Sequence, residues 1–148
     1  MENNLIKNVK ITPAIVPSDG VAGAAVLYGE ILDMANYESV LMIVTFGVIT
    51  SGAATSIKAQ QDSAVGGGTM ADLLGTGQTV VDTADDTTFY IDLIKPIERY
   101  VRLAVPRATQ NAVVSSATYI QYNPRTKPTT QASGVSGELH VEPIEGTA

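Results

Sequence analysis

The chain contains no cysteine and no tryptophan, one histidine, two phenylalanines, and charged residues at only 16% of its 148 positions. Without cysteine there is no disulfide, thiol nucleophile, iron–sulfur cluster or cysteine-ligated zinc. With His140 as the only imidazole, a Ser–His relay or multi-histidine metal centre would depend on one side chain. Basic residues are scarce as well: nine Lys and Arg stand against fifteen Asp and Glu, a net charge of −6, which argues against a general nucleic-acid binder. Long apolar runs are also missing. The most apolar segment, Val40–Ile49 (VLMIVTFGVI), is ten residues long, whereas a bilayer-spanning helix needs about twenty. Met1-Glu2-Asn3-Asn4 opens with no basic n-region and no apolar stretch after it, so synthesis and folding in the cytoplasm are expected, with no membrane partner. Together these absences make an enzyme an unpromising reading, and neither a cofactor nor a metal is expected.

What is present is a strand pattern. Apolar residues recur with period two in short runs separated by Gly, Pro, Asp and Ser, the signature of an all-β domain. A single domain of this length can bury about two-thirds of its surface without staples. Leu5–Ile11 reads as a first strand ended by Pro13 and Pro17, and Ala24–Met34 as a long second one. The run 40–49 is apolar on both faces, as expected of a central strand between two layers. Thr55–Gln61 reads as an edge, Gly66-Gly67-Gly68 as a mobile tip, and Met70–Leu74 as a helical turn. Thr79–Asp82, Phe89–Ile94, Arg99–Val105 and Val113–Tyr122 complete about eight strands, the even spacing of sandwiches and barrels. In Arg99–Val105, Val101, Leu103 and Val105 share one face.

After residue 123 the texture changes. Residues 1–123 read as the β-sandwich domain and residues 124–148 as an extended, flexible C-terminal arm holding three of the seven prolines. Within it Glu138-Leu139-His140-Val141-Glu142 alternates, with Leu139 and Val141 on one face. That pattern fits β-addition to a neighbour's sheet edge; a disordered tail is the competing reading.

Candidate chemistry is sparse. The glycines of GGGTMADLLGTG are not followed by the Lys a phosphate loop needs, since no Gly in the chain precedes Lys. Asp82, Asp85 and Asp86 could gather round a hard cation, but their spacing is not that of an EF-hand, and such clusters are common in hydrated turns. Glu30 and Asp33 fall on opposite faces of one strand, and Asp92 and Glu98 lie either side of a proline turn, so no acid–base pair is marked. The informative feature is charge asymmetry. Lys95, Arg99, Arg102, Arg107, Arg125 and Lys127 stand against one acid, Glu98, a local net of +5 that leaves −11 on the remainder. Regions of opposite sign suit electrostatic docking between chains.

Two stretches carry a resemblance. Gly29-Glu30-Ile31-Leu32-Asp33-Met34-Ala35-Asn36-Tyr37-Glu38-Ser39-Val40, with an apolar strand ending at Phe46-Gly47, resembles the opening of small tailed-bacteriophage virion proteins. Arg99-Tyr100-Val101-Arg102-Leu103, a loop at Thr109-Gln110-Asn111-Ala112, the strand Val113–Tyr122 and Asn123-Pro124-Arg125-Thr126-Lys127-Pro128 are similar to their close. Over residues 25–128 the chain thus looks like a capsid cement (decoration) protein of the jelly-roll type. The resemblance implies an antiparallel, jelly-roll-like sandwich on the outer surface of a virion shell of HK97-like major capsid protein. It also implies capsomer bridging by homo-oligomers, read here as a homodimer with a homotrimer second, and no catalytic residues. A carbohydrate-binding virion module, or another minor head or tail protein, is the alternative, although the absent tryptophan removes the favoured sugar-stacking platform. The expected contact residues are Leu5 and Ile6 near the N-terminus, Arg99, Arg102 and Arg107 on the basic strand and loop, and Arg125, Lys127, Leu139 and Val141 on the arm.

Overall fold

Strict alternation of apolar and polar residues lets a strand bury one face while its backbone pairs sideways, and eight such segments suffice to close a two-sheet core. The structure, a computed structural model, describes residues 4–147. After a short 3₁₀ turn at Leu5–Lys7 come β1 (Lys10–Ile15), β2 (Leu27–Tyr28), β3 (Leu32–Asp33), β4 (Tyr37–Ile49) and β5 (Ala54–Asp62). They are followed by β6 (Ala71–Asp72), β7 (Gln78–Val80), β8 (Thr88–Ile94), β9 (Tyr100–Val105), β10 (Arg107–Ala108) and β11 (Ala112–Pro124). Sheet I has the order β1-β11-β4-β8. In sheet II, β5 pairs with β9 and β10 on one side and with β6 and β7 on the other, while β2 and β3 flank β9; every pairing is antiparallel.

Three strands are interrupted. Pro106 separates β9 from β10 without shifting their register on β5, where Lys58 faces Ala104 and Thr55 faces Arg107. A turn at 73–77 separates β6 from β7; there the Thr76 hydroxyl accepts from Ala59 N at 3.1 Å. Gly29–Ile31 separates β2 from β3. Counting each interrupted pair as one strand leaves eight, ordered 1-8-3-6 in sheet I and 2-7-4-5 in sheet II. That is the jelly-roll order.

The core lies between the sheets. Val40, Met42, Val44 and Phe46 of β4 meet Ile57 and Ala59 of β5 and Val101, Leu103 and Val105 of β9, all fully buried. Phe46 and Phe89 pack edge to face with centroids 5.8 Å apart. At the break after β2, Tyr119 reaches across the sandwich, and its hydroxyl accepts from Leu103 N at 2.8 Å. Gly29 makes room: a Cβ there would lie 2.2 Å from that hydroxyl.

Several expectations are corrected. Leu5–Lys7 is a 3₁₀ turn and the first strand starts at Lys10, running through Pro13, which an edge strand tolerates at a bulge. The second strand is two dipeptides rather than Ala24–Met34. Thr55–Gln61 lies within an interior strand, and Met70–Leu74 contains a strand dipeptide instead of helix. Among the described residues beyond 124 no strand forms, Glu138–Glu142 included. Near its start the arm instead closes the free edge of β1: Gln131 Oε1 accepts from Ile11 N at 2.7 Å, and Thr129 N donates to Lys7 O at 3.1 Å. Such cover blunts an edge that would otherwise recruit another strand.

Candidate interaction surface

The two sheets present outer faces of different character. On sheet II the outward residues are Lys58, Gln60 and Asp62 of β5 and Tyr100 and Arg102 of β9. Lys58, Gln60 and Arg102 form one network through Asp72: Lys58 Nζ donates to Asp72 Oδ2 at 2.6 Å, Gln60 Nε2 to Asp72 Oδ1 at 2.7 Å, and Arg102 Nε to Gln60 Oε1 at 2.8 Å. The Arg102 guanidinium lies 4.1 Å from the centre of the Tyr28 ring. The loop after β5 folds back over this face: Asp62 accepts from Ala64 N and the Thr69 hydroxyl, and Gly67 (φ +67°) sits against Ile31 and Arg102. Hydrogen bonds from Lys58 and Gln60 hold the Asp72 carboxyl below its usual range, and main-chain and Thr69 donors do the same for Asp62.

Sheet I is the opposite case. The register aligns Ile11, Ile120, Leu41 and Asp92 in one outward row and Pro13, Thr118, Ile43 and Tyr90 in the next. A third row holds Tyr122, Ser39 and Ile94. The expectation that both faces of 40–49 are covered is therefore corrected: Leu41 and Ile43 face outward, half-buried by their neighbours alone. Asp92, the one acid in these rows, has a hydrogen-bond donor and no ion pair among the described residues. The Tyr122 hydroxyl donates to Asp92 Oδ1 at 2.7 Å, and Lys95 pairs with Glu38 at 3.1 Å. Burial and the adjacent Asp92 both raise the Tyr122 pKa, so that hydroxyl keeps its proton.

The face is not flat. Along β8, Tyr90 and Ile94 stand proud, 64% and 67% exposed. At the β1 side lies an apolar groove of about 920 Å³ with Val9, Ile11 and Ile120 as its floor, Leu5 and Ile6 as one wall, and Val135 and Leu139 as the other. Sequence reasoning named Leu5, Ile6 and Leu139 separately, and the fold brings them to this one groove. Val141 lies beyond it, exposed.

The basic residues scatter. Arg107 is the clearest correction: it is buried, 5% exposed, and donates to the carbonyls of Ala25, Val21 and Ala112 at 2.7–2.8 Å, so it pins the loop between β1 and β2 instead of facing a partner. Arg99 grips Asp33 in a two-pronged ion pair at 2.7 and 2.8 Å, which lowers the Asp33 pKa. Arg102 belongs to the sheet II network. Only Arg125 and Lys127 of this group extend from the surface with no side-chain ion pair described, Arg125 beside an open basin at the Glu38–Lys95 end. Asp82 and Asp85 accept from Gly52 N and Ile49 N at 2.6 and 2.7 Å, capping the turn between β4 and β5. Among the described residues no three His, Asp or Glu side chains gather as a metal site would require, and no helix is long and apolar enough to cross a membrane.

No family model and no curated protein sequence matches the chain. Among solved structures it is similar to one titled "Crystal structure of PirA", at 12% identity over 83% of this chain and all of that one, with a TM-score of 0.38. That likeness is too slight to argue from.

Proposed function

We propose that this chain is a structural virion protein: a capsid decoration protein that binds the outside of an HK97-like major capsid protein shell and stabilises it by bridging capsomers. A jelly roll hosts many functions, so the reading rests on surfaces rather than on topology. The observation that carries it is the outer face of sheet I, a largely apolar surface whose one acid in the outward rows, Asp92, is held by the Tyr122 hydroxyl, joined to an apolar groove lined by the N-terminal turn and the arm. Such a surface suits protein contact better than a small polar substrate. The resemblance over residues 25–128 supplies the shell as partner. The binding partners are the major capsid protein and further copies of this chain, with no nucleic acid and no cofactor, at the outer surface of the virion.

The mechanism is linkage. A ligand that binds assembled capsomers but not separated ones stabilises the lattice by about 2.7 kcal/mol per site when present at a hundredfold excess over Kd. Contact with two capsomers at once raises effective concentration, so weak individual contacts hold against the pressure of packed DNA. Mixing the purified protein with expanded, undecorated shells and sedimenting them tests the reading. Saturable co-sedimentation at micromolar protein is expected, and its absence overturns the proposal.

A further inference from the structure

We infer that the outer face of sheet I is a self-association surface whose occupant is the same face of a second copy, related by a two-fold axis parallel to the strands. This rests on the decoration reading and assigns the face to one of the two partners named there, a further copy of this chain, which leaves the shell to the rest of the surface; it is measured without any shell.

Size is the first argument. Four strands at about 4.8 Å spacing, over some six residues each, make a face of roughly 400 Å². That lies within the ~300–600 Å² of the largest patch on a typical monomer, and it is about half of the ~800 Å² each partner contributes to a stable interface. A partner must therefore engage the flanks as well, and the flanks are the ridge and the groove.

Shape selects that partner. When two sheets stack face to face, a two-fold axis lying between them along the strand direction carries β8 of one copy over β1 of the other. The rows then set Tyr90 of each copy over Pro13 of the other and Asp92 over Ile11, with Ile94 toward the end of the groove at Val9, and the match occurs twice. Aligned stacking within about 30° is the preferred geometry for sheets in contact. A second copy carries both the ridge and the groove, spaced by the same four strands.

Charge agrees. Copies of a chain with net charge −6 repel one another over most of their surface. On this face the one acid in the outward rows, Asp92, lies on the edge strand β8, and the two-fold axis sets its two copies on opposite sides of the contact, so like charges are not brought together. The residues that sequence periodicity marks for burial, Leu41 and Ile43, then gain the cover that one chain alone does not give them.

Light scattering on size-exclusion peaks, from about 1 to 100 µM, the range over which an interface of modest affinity fills, reads the result directly. The expected mass is twice the chain's 15.5 kDa. The double variant Tyr90→Lys/Ile94→Lys should run at half that mass with an unchanged circular dichroism spectrum, because both side chains are exposed. As the chain has no cysteine, Thr118→Cys near the axis gives a unique thiol; a short bismaleimide should join two copies through it, and should not through Lys58→Cys on sheet II. A monomer at 100 µM, a trimer, a dimer that survives the double variant, or cross-linking through Lys58→Cys but not Thr118→Cys overturns the inference. A monomer that still sediments with shells removes this inference alone. A dimer that ignores shells removes the capsid reading alone.

Discussion

The outer faces of the two sheets start from the same alternation and end differently. On sheet II the chain supplies its own cover: the loop after β5 lies over Asp62, Gln60 and Arg102, and each finds a partner within the molecule. On sheet I the outward rows include Leu41, Ile43, Thr118, Tyr90 and Asp92, while Ile11 and Ile120 lie in the groove that the N-terminal turn and the arm line. An antiparallel sheet with one wet face ordinarily puts polar residues there. Sheet II keeps that rule and then buries the polar residues in a satisfied network. Sheet I breaks it. The difference teaches that polarity on a sheet's exterior does not by itself mark an interface; what matters is whether the chain has already used the groups it places there.

The comparison breaks most severely at the residue that anchors the connection from sheet I to sheet II. Arg107→Met leaves three carbonyls without their donor and should cost on the order of 3 kcal/mol of unfolding free energy in urea titrations. A loss under about 0.5 kcal/mol would mean that water replaces the guanidinium freely. Within sheet II, Gln60→Ala removes the link between Arg102 and Asp72, and a loss of about 1–2 kcal/mol is expected by the same titration.

Acid separates the two faces without mutation. Asp33, Asp62 and Asp72 each have a folded pKa below the unfolded value of 3.8. Their stabilisation is therefore complete above about pH 4 and disappears as pH falls through the lower folded values. Hydrogen exchange between pH 5 and pH 3 should show amides of β5, β9 and the loop 63–70 losing protection before those at the centre of sheet I. Equal loss on both sheets would contradict the assignment.

The smallest effect on folding is expected on the open face. Ile43→Thr keeps the β-branched shape of a half-exposed strand residue and should alter monomer stability by no more than about 0.5 kcal/mol. It should nevertheless weaken association in the light-scattering experiment. Raising salt beyond 0.15 M, where the Debye length is about 8 Å, should change shell binding only slightly. Arg99, Arg102 and Arg107 are already engaged within the chain. A steep salt dependence would instead assign the contact to Arg125 and Lys127.

Much of the fold was legible because burial writes itself into period two. Val101, Leu103 and Val105 share a buried face as their spacing requires, and the runs at 40–49 and 113–122 fall within β4 and β11. Interruptions were harder to see. Nothing local in Ala24–Met34 announces that Gly29 must give way to the Tyr119 hydroxyl arriving from the opposite sheet. The surface was read only in part. Leu5, Ile6 and Leu139 could be singled out as contact residues, the first two on an expected first strand and the third on an expected arm strand, but their meeting in one groove depends on the arm running beside β1. The basic cluster misled for a related reason: charges adjacent in sequence alternate between faces and loops, so their partners are set by the fold.

Alone, the sequence determined the class of the protein, an all-strand sandwich, and which side of each long strand is apolar, because alternation is a property of neighbouring residues. It also determined that β4 carries apolar side chains on both faces. Only the tertiary structure decided which of those faces the chain itself covers, that Arg107 belongs to the interior, and that the ridge on β8 and the groove beside β1 lie on one surface. Those outcomes depend on contacts between residues far apart in the chain, and side-chain periodicity within a strand carries no information about them.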